Sequence, residues 1–460
     1  MFGFSFLLRL EVTPRNKRVT PDYSNMQIPD DKPAIPEPGP PREFPYATVD
    51  AIIRPNDAIA GFTMQEIVDL CHYGGNLHLS RFQAFKSDNF SASAQDYIDN
   101  CYLFEFSTST GGRSMGHCSD FANYIYYGGA RLSLDFGVDP EIYKRKVRNC
   151  PNTVHIHGEY PNWQLFGPNI TNYWMPNLEQ IKNEQMSYFA HFDTILCKVK
   201  AMCTAMEALI EAQKVNNTLG IEMFPKLKYM SHSTPDPVED GPKLLGKEKF
   251  NNITQDFNSF YHSFGHSGRK STWAVFDCWS KHPEWPTLTI VGNQRAIDFV
   301  KQKERYGPLP RNYEFPKNIR VKSHLEFPEL RQLQLAHGVH LCPSTQEGFG
   351  HYINEARAVG AVVVTTNHAP MNEFIQDGVS GFLVGHREPS TEPYQGMAPY
   401  FKSVATVDTE HVCLVVSKVL KLTIDERKLI GQNARYAYIQ DKNFMINNIE
   451  ELRKQIENIQ

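Results

Sequence analysis

Residues 339–384 read VHLCPSTQEGFGHYINEARAVGAVVVTTNHAPMNEFIQDGVSGFLV. The apolar run Val339–Pro343 predicts a strand, Pro343-Ser344 turns it, Gly348-Phe349-Gly350 forms a loop, and a helix starts near His351. The next strand is Val362–Thr366, with a further one at Phe382–Val384. Strand, loop, helix and strand in that order make one unit of a parallel sheet, and such sheets hold ligands where loops leave the carboxyl ends of strands. Two glycines flanking one aromatic let backbone amides approach a ligand closely. The helix directs its positive N-terminal end at the same place, which suits a diphosphate.

Glu347 and Glu355 bracket this loop, eight positions apart. Carboxylates beside a phosphate site repel it unless they face hydroxyls, from which an ionised carboxylate accepts two hydrogen bonds at a time. Among 51 acidic residues such a spacing recurs by chance, and alone it would mark two surface glutamates. Its place between strand, glycine loop and helix favours a sugar- or ribose-binding role.

Glu347, Gly348, Phe349, Gly350 and Glu355 together resemble the donor-binding signature of glycosyltransferase family 4 and its relatives, retaining enzymes of the GT-B fold. The resemblance implies that Glu347 contacts the donor sugar, Glu355 the nucleotide ribose, and the loop amides the sugar and diphosphate. It extends to Asn177, Glu179, Asp193 and Lys198, to residues 263–279, and in weaker form over about 153–435. Family members place an Arg and, five residues later, a Lys on the diphosphate. Here Lys270 occupies the Lys position and Gly265 the Arg position, which leaves Arg269 or His266 as substitute. A fixed cation there would stabilise the charge that develops on the leaving diphosphate. The family also presents a histidine from its first domain to the donor sugar. His155 and His157 are the candidates, with His157 preferred, and Gly128-Gly129 is a candidate for the family's glycine turn. His351 reads as a cap on the loop.

Outward from this core, the chain from about residue 153 alternates short apolar runs with helical patterns. Strands are expected at Thr153–His157, Ile170–Met175, Thr194–Lys198, Phe257–Ser263, Leu288–Val291 and Ile319–Lys322. Helices are expected at Leu178–Phe189, Ala201–Ala212, Thr272–His282 and Pro328–Ala336, and helices dominate after Thr409. Turn formers from Ser233 to Pro242 mark an inter-domain connection. Residues 46–150 carry the glycine pairs Gly74-Gly75 and Gly111-Gly112 but no clean periodicity. Nine prolines between residues 13 and 45 predict an extended strap, and Phe2 to Phe6 read as a short buried strand.

The fold class is therefore α/β: two Rossmann-like domains whose parallel sheets face across a cleft, with an atypical N-terminal extension. The expected divisions are 1–45 (extension), 46–235 (acceptor side), 250–435 (nucleotide-sugar side) and 436–460, a helix packing back on the first domain.

A net charge of −4 offers no basic excess for nucleic acid. No apolar run reaches the roughly 20 residues of a membrane-spanning helix. The first ten residues lack the basic start and cleavage site of a signal peptide, so a cytoplasmic location is the default. Nine cysteines, without a C-x-x-C pair, read as reduced buried thiols. Four N-x-S/T triplets, at Asn89, Asn169, Asn216 and Asn252, carry little weight without an export signal.

The expected activity is transfer of a hexosyl group from a nucleoside diphosphate sugar to a hydroxyl of a glycan, lipid or protein acceptor. Retention follows from the resemblance. The chain contains no D-x-D pair to hold a divalent metal, which agrees with a metal-independent reaction. No cofactor is expected beyond the donor as co-substrate. The alternatives are a sugar-nucleotide epimerase on the same fold, or a non-catalytic glycan- or nucleotide-binding protein.

Overall fold

The computed structural model describes residues 63–73, 101, 103–107, 115–128, 131–132, 140–167, 169–181, 183–216, 223–265, 267–292, 315–323, 325–387 and 404–457. The proline-rich stretch, the strand expected near Phe2, Gly74-Gly75, Gly111-Gly112, Asn89, Gly129 and His266 lie outside them.

Two six-stranded sheets organise the chain. The first contains β1 (Phe104–Ser107), β2 (Arg131–Leu132), β3 (Val154–His157), β4 (Thr171–Trp174), β5 (Thr194–Cys197) and β6 (Lys226–Tyr229), in the order β2-β1-β3-β4-β5-β6. The second contains β7 (Asp256–Gly265), β8 (Leu288–Gly292), β9 (Ile319–Lys322), β10 (His337–Cys342), β11 (Val362–Thr366) and β12 (Phe382–Val384), in the order β12-β11-β10-β7-β8-β9. Every strand pair is parallel.

Burial explains which strands are plain in the sequence. Every residue of β3, β5, β8, β10 and β11 is buried, because helices cover both faces of a parallel sheet; β5, β8 and β11 are mostly apolar, while β3 (VHIH) and β10 (HGVHLC) bury histidines between their apolar residues. The edge strands β6 and β9 keep exposed lysine and arginine positions. Each Val, Leu or Ile side chain fully buried in these layers contributes about 1.5–3 kcal/mol.

The expected helix Leu178–Phe189 is instead two stretches of 3-10 helix, Leu178–Gln180 and Asn183–His191. Its apolar residues fall three apart (Leu178 with Ile181, Met186 with Phe189), and three-residue spacing is that of the tighter helix. Phe189 and Phe192 then pack on Trp174, with Phe192 stacked at 5.2 Å.

The C-terminal helix begins far earlier than residue 436, at Ile424, and runs to Glu457. Its 34 residues span about 50 Å. Near its start Ile430 joins the core of the second sheet, and Arg427 donates to the carbonyls of Val419, Leu420 and Phe257. Gly431 is forced: a β-carbon there would lie 2.0 Å from the Gly360 carbonyl oxygen. Further along, Met445, Ile446, Ile449, Leu452 and Ile456 enter the first sheet's core beside Phe104, Phe106 and Phe121. Gly128 ends the helix Met115–Gly128 and lies against Ile449.

The cysteines correct the thiol reading. Eight form disulfides, Cys71–Cys118, Cys101–Cys150, Cys197–Cys203 and Cys278–Cys413, leaving Cys342 free and buried. Partners lie up to 135 positions apart, so no local spacing announces them. Among the described residues no helix is long and apolar enough to cross a membrane.

Candidate functional site

In the second sheet the chain order reverses between β7 and β10, and the crevice at such a switch point is where doubly wound sheets take ligands. The loops leaving these two strands carry Lys270 and Glu347. After β7 the chain turns at Gly265 (φ 54°) into the short 3-10 turn Gly268–Lys270. The Thr345 N–H donates to the Arg269 carbonyl at 2.7 Å, tying the two loops together.

Lys270 and Glu347 form an ion pair, with the ammonium 3.7 Å from the centre of the Tyr352 ring. Ser344 donates to Glu347, and its hydroxyl lies 2.5 Å from that of Tyr352. Burial holds the Tyr352 phenol well above its ordinary range, so it remains a neutral donor.

Gly350, at φ 87°, stands before the helix His351–Ala358, where a β-carbon would be strained. No side chain caps this helix end, which leaves first-turn amides available to an anion. Gly348 is required for another reason. A β-carbon there would lie 2.6 Å from Asn177 Oδ1 and 2.7 Å from Glu179 Oε2, both from the first sheet's side. Phe349 does not face a ligand with its ring. It is buried in the cluster around Trp174 and Phe189, edge-on to His232 at 4.7 Å, so its side chain docks the loop onto the opposite wall.

Glu355 is held at both oxygens: Arg331 donates to Oε1 at 3.0 Å and Gln334 to Oε2 at 2.8 Å. Arg331, itself buried, also donates to the side chain of Gln65 at 3.0 Å, while the Gln65 N–H donates to Asp240 at 3.3 Å. The fixed carboxylate keeps further lone pairs for hydroxyl donors.

The first sheet supplies the other wall, one strand exit at a time. Asn177, after β4, donates to Glu159 at 3.3 Å and accepts from Lys198. Lys198, after β5, pairs with Asp120 at 2.7 Å. The other Asp120 oxygen faces His232 at 2.8 Å and, across the cleft, His351 at 3.2 Å. Burial pushes the Asp120 carboxyl up, but Lys198, His232 and His351 outweigh it and hold it well below the ordinary range. Asp120, His232 and His351 are close enough together to ligate a cation. The Lys198 ammonium already balances that carboxylate, so the group reads as a hydrogen-bonded latch between the walls.

Besides His232, whose Nδ1 has no hydrogen-bond partner, the unsatisfied member is Glu179. Its side chain is 7% exposed and 3.5 Å from Arg269, yet Oε2 has no hydrogen-bond partner. Burial raises its carboxyl to about 6 despite Arg269.

Of the residues expected from sequence, Lys270, Arg269, Glu347, Gly348, Gly350, Glu355, Asn177, Glu179 and Lys198 converge on this cleft. His157 does not. Its Nε2 lies 2.8 Å from Asn172 Oδ1 and its Nδ1 accepts from the Asn162 N–H at 3.1 Å. Both nitrogens are thus used within the first sheet, and burial lowers the ring to about 4, which keeps it neutral. His155 is equally buried, and Asp193 lies at the opposite end of the sheet, accepting from the Asn172 N–H. The histidines that reach the cleft groups are His117, paired with Glu159, and His232 and His351, both facing Asp120. Asp120, His232, Arg331 and Gln65 had no sequence signal, since each acts from a separate element.

Residues 277–391 match the family model for glycosyl transferases group 1. Among solved structures, the chain is similar to a glycosyltransferase from Rickettsia africae, at TM-score 0.53 and 15% identity, over 77% of this chain and 97% of that one. It is also similar to HepE of Anabaena, solved in complex with UDP-glucose, at TM-score 0.52 and 14% identity, over 77% of this chain and all (100%) of that one. No curated protein sequence matches.

Proposed function

We propose that this chain, a glycosyltransferase of the GT-B fold with a group 1 donor domain, moves a hexosyl group from a nucleoside diphosphate sugar to a hydroxyl acceptor. The reaction proceeds with retention and without a divalent metal. The observation that carries this reading is the Lys270–Glu347 pair at the β7/β10 switch point, beside the open end of the helix His351–Ala358.

In this assignment Glu347 accepts from the donor sugar hydroxyls and Glu355 from the ribose. Lys270, with Arg269 at the loop edge, meets the diphosphate. As the glycosidic bond breaks, negative charge accumulates on the leaving oxygens. A preplaced ammonium and helix amides stabilise it without reorganising, and removing one such group costs about 10²–10³ in kcat. The leaving phosphate deprotonates the acceptor on the same face, which retains configuration and needs no separate protein base. The Anabaena protein of the same fold is described with UDP-glucose, which supports a nucleoside diphosphate sugar as donor class.

The test is nucleotide release from UDP-, GDP- and ADP-sugars, with wild type, Glu355→Ala and Lys270→Ala in parallel. Turnover with one donor, lost in both variants, supports the assignment. No binding of any nucleotide sugar refutes it. Activity abolished by a chelator and restored by a divalent ion would overturn metal independence, and inverted anomeric configuration in the product would overturn retention.

A further inference from the structure

Two features lie outside the cleft chemistry. The first is the cystine set. Its Cα–Cα distances are 5.6, 5.3, 5.5 and 5.6 Å, within the ordinary range for a bridge. Each bridge joins different elements. Cys71–Cys118 ties the helix Met64–Tyr73 to Met115–Gly128, and Cys101–Cys150 closes the approach to β1 onto the end of the helix Pro140–Asn149. Cys197–Cys203 joins β5 to the helix Lys200–Asn216, and Cys278–Cys413 joins Thr272–Lys281 to Thr409–Lys421. Bridges of this structural kind persist in oxidising compartments and are rare where thiols are kept reduced.

The second feature is the position of the N-x-T triplets. Asn169-Ile170-Thr171 lies in the turn that enters β4, and Asn252-Ile253-Thr254 in the turn that leads into β7. Both asparagines are exposed. Asn169 has φ 65°, a conformation that asparagine tolerates better than most residues. In a parallel sheet every such entry turn lies at the end opposite the strand exits. The cleft groups (Asn177, Lys198, Lys270, Glu347) all follow strand exits. A bulky group on either asparagine would therefore point away from the cleft. The triplet at Asn216 starts on the last residue of its helix, and its Thr218 lies outside the described residues.

We propose that this chain matures in an oxidising, glycosylating compartment, with the four cystines as its covalent frame and N-linked oligosaccharides on Asn169 and Asn252. This replaces the cytoplasmic expectation and holds whatever donor the cleft takes. Each cystine forms as two thiols give up two protons and two electrons to a disulfide-bearing oxidoreductase, which is reduced to its dithiol. Each glycan forms as the asparagine Nδ2 bonds to the anomeric carbon of a polyisoprenyl-diphosphate oligosaccharide. That carbon's bond to the diphosphate breaks, the polyisoprenyl diphosphate leaves with the electron pair, and the amide proton is released.

The full chain would be produced in glycosylating eukaryotic cells behind a cleavable export leader, and separately in a reducing cytosol. Peptide mapping without reduction should recover the four linked pairs, with Cys342 reacting only after unfolding. Peptide-N-glycosidase in heavy-oxygen water should convert Asn169 and Asn252 to labelled aspartate. The Asn169→Gln, Asn252→Gln double variant should lose the corresponding gel shift and keep its turnover. The cytosolic chain should melt at a lower temperature than the oxidised one. Free thiols at the eight cystine positions in folded exported protein would overturn the proposal. So would unmodified asparagines at both sites, or a reduced chain as stable as the oxidised one.

Discussion

The two walls of the cleft are built by opposite rules. On the second sheet's side the chemistry is local: residues 344–355 and 267–270, on two neighbouring loops, supply every group that meets the donor in the proposed assignment. On the first sheet's side it is distributed. Asp120 comes from the helix after β1, Glu159 follows β3, Asn177 follows β4, Lys198 follows β5 and His232 follows β6. A local wall can be altered one function at a time. In a distributed wall of buried charges, each member is stable only because the others are present.

The sharpest break of this contrast is Asp120→Ala. It leaves the Lys198 ammonium buried without its carboxylate partner, and should cost about 3–5 kcal/mol of folding stability in denaturant titration. The same carboxylate gives a pH signature. Its folded pKa is depressed, so its contribution is present above the unfolded value of about 3.9 and is lost as pH falls towards the folded value. The wild type should therefore lose stability more steeply than Asp120→Asn below about pH 4.

Lys270→Ala tests the local wall and should show the reverse pattern. Turnover falls about 10²–10³-fold while stability falls by less than in Asp120→Ala, because Glu347, though its side chain is only 13% exposed, keeps the Ser344 hydroxyl as a donor. An equal loss of stability would show that the two walls do not differ in kind.

Gly348→Ala probes where the walls touch. The new methyl meets Asn177 and Glu179, so one loop must give way, and kcat/KM should drop roughly tenfold, within the 1–3 kcal/mol typical of overpacking. Unchanged kinetics would mean that the walls separate before the donor enters.

The smallest expected effect is at Asp240, behind Glu355. Burial raises its carboxyl to about 7, although Arg331 draws it down in part. A raised folded pKa gives stability that is complete below the unfolded value and is lost as pH rises through about 7. Asp240→Asn should remove that slope, so the stability gained over the wild type should be larger at about pH 8 than at about pH 5. A variant with the wild-type slope would place the titration elsewhere.

The contrast also explains what could be read from the sequence. β10, the Gly348–Gly350 loop and β11 are contiguous: Val362–Val364 announce a strand buried on both faces, and Val339 and Leu341 mark the strand before the loop. Glu347 was legible as part of that unit, and Lys270, on the separate loop after β7, through the family resemblance. The latch of Asp120, His232 and His351 was not, because its members are far apart in the chain and each alone resembles an ordinary polar residue. His157 misled for the same reason: a histidine at a strand exit looks alike whether it meets a substrate or, as here, an asparagine of the next strand. The bridges stayed hidden because cysteine spacing carries no register when partners come from different helices.

The long helix Ile424–Glu457 has a consequence for synthesis. Met445, Ile449 and Leu452 complete a core whose other members include Phe104 and Phe106. A ribosome adding about 5–20 residues per second makes them only after the whole second sheet, on the order of tens of seconds later. The first half therefore cannot mature as an independent N-terminal unit while translation proceeds. It emerges with an apolar face open, and that interval is when the nascent protein is most exposed to aggregation and most dependent on chaperones.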